Sequence, residues 1–229
     1  GGAWVGCTAP PVGTEVCNDA DDDCDGAIDE GFGAVVFDPV PIADISAYQP
    51  ACTGTSSAIN VCLSAVKRWC QGRPEGCFVG GAGFLSASGA SARVVCFSRH
   101  AGTMETNASY TDLDVRASTA ITDSNVATRV AESAVDRYCR GTGSGAGVGP
   151  VEWSGGNTEI TCLPPTVATY TPVPTGDLLA LGCNPLSSPD AFACNTATDS
   201  WCRSHGHVAG YGPTEWNMSD SGIVCFDSP

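Results

Sequence analysis

Lysine occurs once in this chain of 229 residues, at Lys67, and methionine only twice. Ten basic residues stand against 25 acidic ones, for a net charge of −15. Such a surface repels phosphate backbones and anionic lipid, so nucleic acids and membrane surfaces are poor partners. No apolar run approaches the ~20 residues that a membrane span requires. There is no GxSxG, no HExxH, no P-loop and no CxxC pair. The common signatures of hydrolases, zincins, nucleotide binders and structural zinc sites are therefore missing. No catalytic residue is assigned. Charged residues make up only 15% and hydrophobic ones 42%. That is enough apolar material for a packed core, which excludes disorder by composition.

Cysteine, glycine and proline are abundant instead. The 14 cysteines point to a secreted, disulfide-rich protein in an oxidising compartment. The 28 glycines and 15 prolines favour short elements and many turns. The opening GGAWVGC has the look of a processed or truncated N-terminus.

The chain also repeats itself. Residues 139–162 (CRGTGSGAGVGPVEWSGGNTEITC) and 202–225 (CRSHGHVAGYGPTEWNMSDSGIVC) align without a gap. A degenerate copy runs from Cys70 to Cys96. The stretches before them, 58–70, 127–139 and 190–202, match as well and read as helices. In the second, Val126, Val130, Ala131, Ala134, Val135 and Tyr138 recur at spacings of three and four. Each copy closes its helix on an aromatic-Cys pair, then runs through a Gly-rich loop and two strands. The expected fold is α+β: three tandem helix–loop–β-hairpin repeats, stapled by disulfides and headed by a metal-binding loop. The expected segments are 1–31 with the loop, 32–50 an extended strand or linker, 51–100 the first repeat, 101–165 the second, 166–182 a Thr/Pro linker and 183–229 the third.

The alignment suggests the disulfides. The middle copy keeps only Cys139 and Cys162, so these pair, and by analogy so do Cys70–Cys96 and Cys202–Cys225. Cys52 with Cys62 and Cys183 with Cys194 vanish together from the middle copy, as bonded partners would. Of the remaining four, Cys17–Cys24 would staple the acidic loop and Cys7–Cys77 would tie down the N-terminus. Each bridge contributes roughly 2–4 kcal/mol, chiefly through the unfolded chain.

Residues 17–30, CNDADDDCDGAIDE, hold seven carboxylates in fourteen positions. Asp21, Asp23, Asp25 and Asp29 occupy positions 1, 3, 5 and 9 of a D-x-D-x-D-G-x-x-D loop, with Gly26 at the turn. Alternate aspartates and the carbonyl of Ala27 can converge on a hard cation such as Ca²⁺. Position 12 is Phe32 rather than Glu, so this is not a full EF-hand, and Asp29 or Glu30 must close the shell. Every candidate donor is an oxygen, which favours calcium over zinc or copper.

The same stretch resembles the metal-binding motif of MopE-type secreted bacterial surface proteins, roughly C-N-x-x-D-D-D-C-D-G-x-x-D-E, through Cys17, Asn18, Asp21–Asp23, Cys24, Asp25, Gly26, Asp29 and Glu30. The likeness covers 14 residues. It implies a bacterial, secreted or surface-attached protein with a metal-stabilised module. Copper is associated with that family, but the loop offers no soft ligand and copper is not carried over.

Residues 31–45, GFGAVVFDPVPIADI, belong to no repeat. Pro39 and Pro41 suit an edge strand or a linker, and such a segment could complete the sheet of a neighbouring molecule. The leading expectation is therefore a structural subunit of an extracellular fibril or surface layer, partnered by copies of itself. The alternative is a glycan-binding module in which Trp153 and Trp216, from the P-x-E-W motifs, stack on sugar rings. Glu152 and Glu215 beside them invite a glycosidase reading, which their placement in different copies disfavours. His205 and His207 face Thr142 and Ser144 in the aligned copy, and His100 follows a strand, so no shared histidine chemistry is expected. Asn107 and Asn217 lie in N-glycosylation sequons.

Overall fold

The structure is a computed structural model that describes residues 21–24, 26, 32–53, 59–74, 77–99, 102–122, 128–187 and 192–227. Three successions of the same elements run along it. The first is β1 (Ala34–Pro41), α1 (Ile42–Ser46), α2 (Ile59–Gln71), β2 (Phe78–Ser88) and β3 (Ser91–Ser98). The second is β4 (Met104–Ser109), α3 (Tyr110–Asp114), α4 (Arg129–Gly141), β5 (Ala146–Ser154) and β6 (Asn157–Leu163). The third is β7 (Ala168–Pro174), α5 (Thr175–Ala180), α6 (Phe192–Ser204), β8 (Ala209–Trp216) and β9 (Asp220–Phe226). Each forms a three-stranded antiparallel sheet whose middle strand is the last in sequence: β1-β3-β2, β4-β6-β5 and β7-β9-β8. Each sheet with its helices is called a unit below.

Local chemistry sets the elements. In α4, Ala131, Ala134, Val135 and Cys139 fall on one face and are buried. Ser109 caps α3 by accepting from the Asp112 N–H at 3.1 Å. The β5–β6 hairpin turns through Gly155 and Gly156, both at positive φ, which a two-residue turn of matching twist requires. Each helix is bolted to the middle strand of its own sheet by a disulfide: Cys70–Cys96, Cys139–Cys162 and Cys202–Cys225. Cys52–Cys62 and Cys183–Cys194 tie the approach to α2 and α6. These five bonds join the cysteines that the aligned copies pair. Cys24 and Cys77 are disulfide-bonded too, while Cys7 and Cys17 lie outside the described residues.

Two segments join the sheets of their own chain rather than standing outside the repeats. Residues 34–41 of the stretch assigned to no repeat are the edge strand β1, paired with β3 of the same chain from Ala34↔Phe97 to Pro41↔Ser91. The register shifts between Phe37 and Val40, where Pro39 has no N–H to donate. The expected Thr/Pro linker at 166–182 likewise holds strand β7 and helix α5, with Pro172 and Pro174 on the sheet's outer strand. Proline excludes a central position but not an edge, so residues 34–41 take the edge-strand alternative of the sequence reading, while 166–182 reads as a linker and serves as a strand and helix. Among the described residues each unit therefore opens with a strand, which the helix–loop–hairpin expectation lacks.

The three units close on one another. Helix α2 packs on β5, α4 on β8 and α6 on β2, so each helix reaches the hairpin of the following unit and the third returns to the first. At the centre lies one apolar cluster drawn from all three units. Phe97, Leu163 and Phe226, each the residue after a strand cysteine, meet there, and the Phe97 and Phe226 rings lie 5.2 Å apart. Each unit keeps a smaller core of its own between helix and sheet. A stack of repeats that did not close would leave apolar faces at its ends; a cyclic arrangement buries them.

Polar groups mark each junction differently. Lys67 of α2 is buried and reaches Glu159 and, at 3.3 Å, Glu105 in the second unit. At the equivalent positions of the third-to-first junction the charges are reversed, with Asp199 of α6 3.2 Å from Arg93 of β3. Between the second and third units the strand position is held by Gly222, and Asp136 pairs with Arg140 on its own helix, at 2.8 Å. A second buried cation, Arg129, joins α4 to the third unit through the Asn195 Oδ1 at 2.6 Å and the Gly212 carbonyl at 3.2 Å. Mismatched junctions would bury unpaired charge, which fixes the order of the units.

Candidate functional site

The first two junctions each open into a cleft, and the two clefts are built alike. At the first, α2 supplies Val61, Ser64 and Arg68, and β5 supplies Val151, Glu152 and Trp153, around about 270 Å³. At the second, α4 supplies Val130, Ser133 and Arg137, and β8 supplies Thr214, Glu215 and Trp216, around about 240 Å³. The helix residues are offset by 69 positions (130 − 61) and the strand residues by 63 (214 − 151), the offsets at which the sequences align. Both tryptophans are half-buried. Trp153 rests on the core of the second unit and turns its remaining surface to the cleft.

An arginine–glutamate pair fixes the floor of each cleft. The Arg68 Nε donates to the Glu152 Oε1 at 2.8 Å and the Ser64 hydroxyl to the same oxygen at 3.2 Å. The Arg137 Nε donates to the Glu215 Oε1 at 2.7 Å, the Arg140 Nη2 at 2.8 Å, and the Tyr170 hydroxyl to the Oε2 at 3.1 Å. Partial burial pushes both carboxyls up, but the hydrogen bonds and charge of Arg68 outweigh it for Glu152, and those of Arg137, with the charge of Arg140, for Glu215. Both stay below the usual glutamate range and are ionised at neutral pH. Burial and the Glu215 charge raise the Tyr170 phenol to about 12, so it remains a donor. Arg68 and Glu152 are half-exposed, and such a pair adds well under ~1 kcal/mol of stability. What it supplies is a rigid polar fork, with donor and acceptor side by side beside an aromatic face.

The third junction lacks this constellation. The strand register places Ser86 where Glu152 and Glu215 stand and Ala87 where the tryptophans stand. Ser200 occupies the arginine position of α6.

Trp153 borders a second depression of about 370 Å³ on its other side, shared with Glu152 and lined by Asn107, Asn157, Thr158 and Glu159. Asn107 is exposed on β4. Asn217 is exposed at the β8–β9 turn, where its side-chain oxygen accepts from the N–H groups of Ser219 and Asp220. Glu152 and Glu215, weighed above as a glycosidase pair, belong to separate clefts, each tied to its own arginine. The histidines have structural partners: His205 stacks on Trp201 with centroids 3.7 Å apart, and the His207 Nδ1 lies 2.7 Å from Asp227. His100 lies outside the described residues.

Of the expected metal ligands, Asp21 and Asp23 are described, whereas Asp25, Ala27, Asp29 and Glu30 lie outside the described residues. The Gly26 N–H donates to the Asp21 Oδ2 at 3.1 Å, with Gly26 at φ 100°, so the loop bends back toward its first aspartate. Among the described residues no group of three or more His, Cys, Asp or Glu side chains is placed to hold a metal.

Sequence reading singles out the tryptophans and glutamates but misses Arg68 and Arg137. Both sit at the same helix position in the aligned copies, four residues after a serine that also recurs. No family model, no curated protein and no solved structure matches the chain.

Proposed function

We propose that this chain is a secreted glycan-binding module that engages sugar at two equivalent sites, one at Trp153 and one at Trp216. The observation that carries this reading is the duplicated cleft: the same aromatic, arginine, glutamate and serine recur at two junctions between packed units. An exposed aromatic face beside an ionised carboxylate and a guanidinium offers stacking together with paired acceptors and donors for ring hydroxyls. On this reading the three units are copies of one repeat, and the third junction has kept the packing without the site. A glycan array probed with the wild type and with Trp153→Ala and Trp216→Ala tests it. Unchanged binding by both variants removes the tryptophans from any such role.

The acidic loop, in this proposal, binds calcium through Asp21, Asp23, Asp25, Asp29, the Ala27 carbonyl and Glu30, and rigidifies the N-terminal segment. The seven expected disulfides and the MopE-like motif support a location outside the cell, on a bacterial surface or in its medium. Five disulfides among the described residues support an oxidising compartment, and none of the described helices is long and apolar enough to cross a membrane. A second reading, a structural subunit of a fibril or surface layer, retains the support of this stapling. It loses the strand once offered to a neighbour, because residues 34–41 are already paired within their own sheet. Electron microscopy of concentrated protein separates the two, since filaments favour the subunit and monodisperse particles the binding module.

A further inference from the structure

We infer that the two clefts, taken as glycan sites on the reading above, select neutral sugars and differ in how many rings they hold. Charge decides the first point. Each cleft pairs one arginine with one glutamate, so its own charge is near zero. In the second cleft Arg140 also bonds Glu215, but its charge is shared with the buried Asp136, again leaving no surplus cation. The chain around them carries −15. A uronate or sulfated sugar would enter against this field without a spare cation to meet it, whereas a neutral ring meets no such penalty. Hydroxyl pairs on such a ring can donate to the carboxylate and accept from the guanidinium at once.

Shape decides the second point. The open cleft at Trp216 measures about 240 Å³, below the ~300 Å³ at which pockets begin to take drug-sized ligands, and so suits one ring. At Trp153 the junction cleft of about 270 Å³ is joined, across Glu152 and Trp153, by the depression of about 370 Å³. Asn107, Ser154 and Asn157, all exposed, offer amide and hydroxyl groups along that extension. Among the described residues, the Trp153 site therefore accommodates consecutive rings of a chain, and the Trp216 site a single terminal residue.

Calorimetric titration of the full chain tests this, with neutral manno-, cello- and malto-oligosaccharides of one to six rings and oligogalacturonates of the same lengths. The wild type is expected to bind two molecules of a neutral oligosaccharide, and each Trp→Ala variant one. Trp216→Ala, which keeps the longer site, should gain about tenfold in affinity from one ring to three. Trp153→Ala should show no dependence on length. Oligogalacturonates should bind at least about tenfold more weakly at low salt. Trp153→Phe and Trp216→Phe, which keep a smaller aromatic face at each site, should keep stoichiometry and lose only affinity, separating a weakened stack from a lost fold. Flat length dependence in Trp216→Ala, or equal affinity for the anionic series, overturns the inference and leaves glycan binding standing. No binding of either series by the wild type overturns both.

Discussion

Replacing Asp136 by asparagine should change stability by an amount that depends strongly on pH. The Asp136 carboxylate is fully buried. Its Oδ1 accepts from the Gly147 N–H at 3.1 Å and its Oδ2 from the Arg140 Nε at 2.8 Å. Burial nevertheless outweighs these partners and pushes the carboxyl up to about 6. Against an unfolded value of ~3.9 the difference is about two units, or about 3 kcal/mol. The folded state holds this proton more tightly. The contribution is therefore complete below about pH 4 and is lost as pH rises through about 6. Asparagine keeps an oxygen for Gly147, and Arg140 keeps Glu215 at 2.8 Å. At pH 8 the variant should be as stable as the wild type or more so, by up to about 3 kcal/mol, and the gain should disappear at pH 4. Urea unfolding of both proteins at unit steps from pH 4 to 8 measures the difference directly, because the other titrating groups are common to both. The equivalent Asp199 provides the contrast. It lies between Arg93 at 3.2 Å and Arg203 at 3.0 Å, so Asp199→Asn removes the buried carboxylate from Arg93, which keeps only the exposed Asp38 at 3.3 Å, and should cost roughly 1.5–3 kcal/mol at neutral pH. A difference for Asp136→Asn that does not vary with pH, or a loss of several kcal/mol at pH 8, would refute this reasoning.

Replacing Cys139 and Cys162 together by alanine releases a bridge of sequence separation 23 and should lower unfolding free energy by about 3 kcal/mol in equilibrium denaturation. In Gly147→Ala the new methyl carbon would stand 2.8 Å from both the Cys139 Sγ and the Val135 carbonyl, and overpacking of roughly 1–3 kcal/mol should appear as a lower melting temperature. Chelation by EDTA should lower the wild-type melting temperature, and Asp21→Asn with Asp23→Asn should abolish that response; identical melting with and without chelator would remove calcium from the loop.

Much of this architecture was legible because the chain states it more than once. Two gapless copies exposed the helix and hairpin positions, and cysteines that disappear in pairs identified bonded partners without any geometry. Strand β1 was legible only as one of two alternatives and β7 not at all, since proline and threonine in short runs suit a linker as well as an edge strand, and what decides between them is pairing with residues 46 to 63 positions away. Closure of the ring was hidden for a related reason. The groups that enforce it, Lys67 with Glu159 and Arg93 with Asp199, carry reversed signs at matching positions, so alignment reads them as divergence. At the clefts, sequence pointed to Trp153, Trp216 and the neighbouring glutamates, while Arg68 and Arg137 belong to the preceding unit and join them only once the helices cross over.

The burial of Lys67 reaches beyond folding. It is the single lysine in the chain and is only 5% exposed, held among carboxylates. An acylating reagent aimed at amines finds no accessible side chain to label, and a resin or biosensor chip activated for amine coupling has no lysine handle to grasp. Attachment through the plentiful surface carboxylates, or through an appended tag, is the practical route to immobilising this protein with its clefts unobstructed.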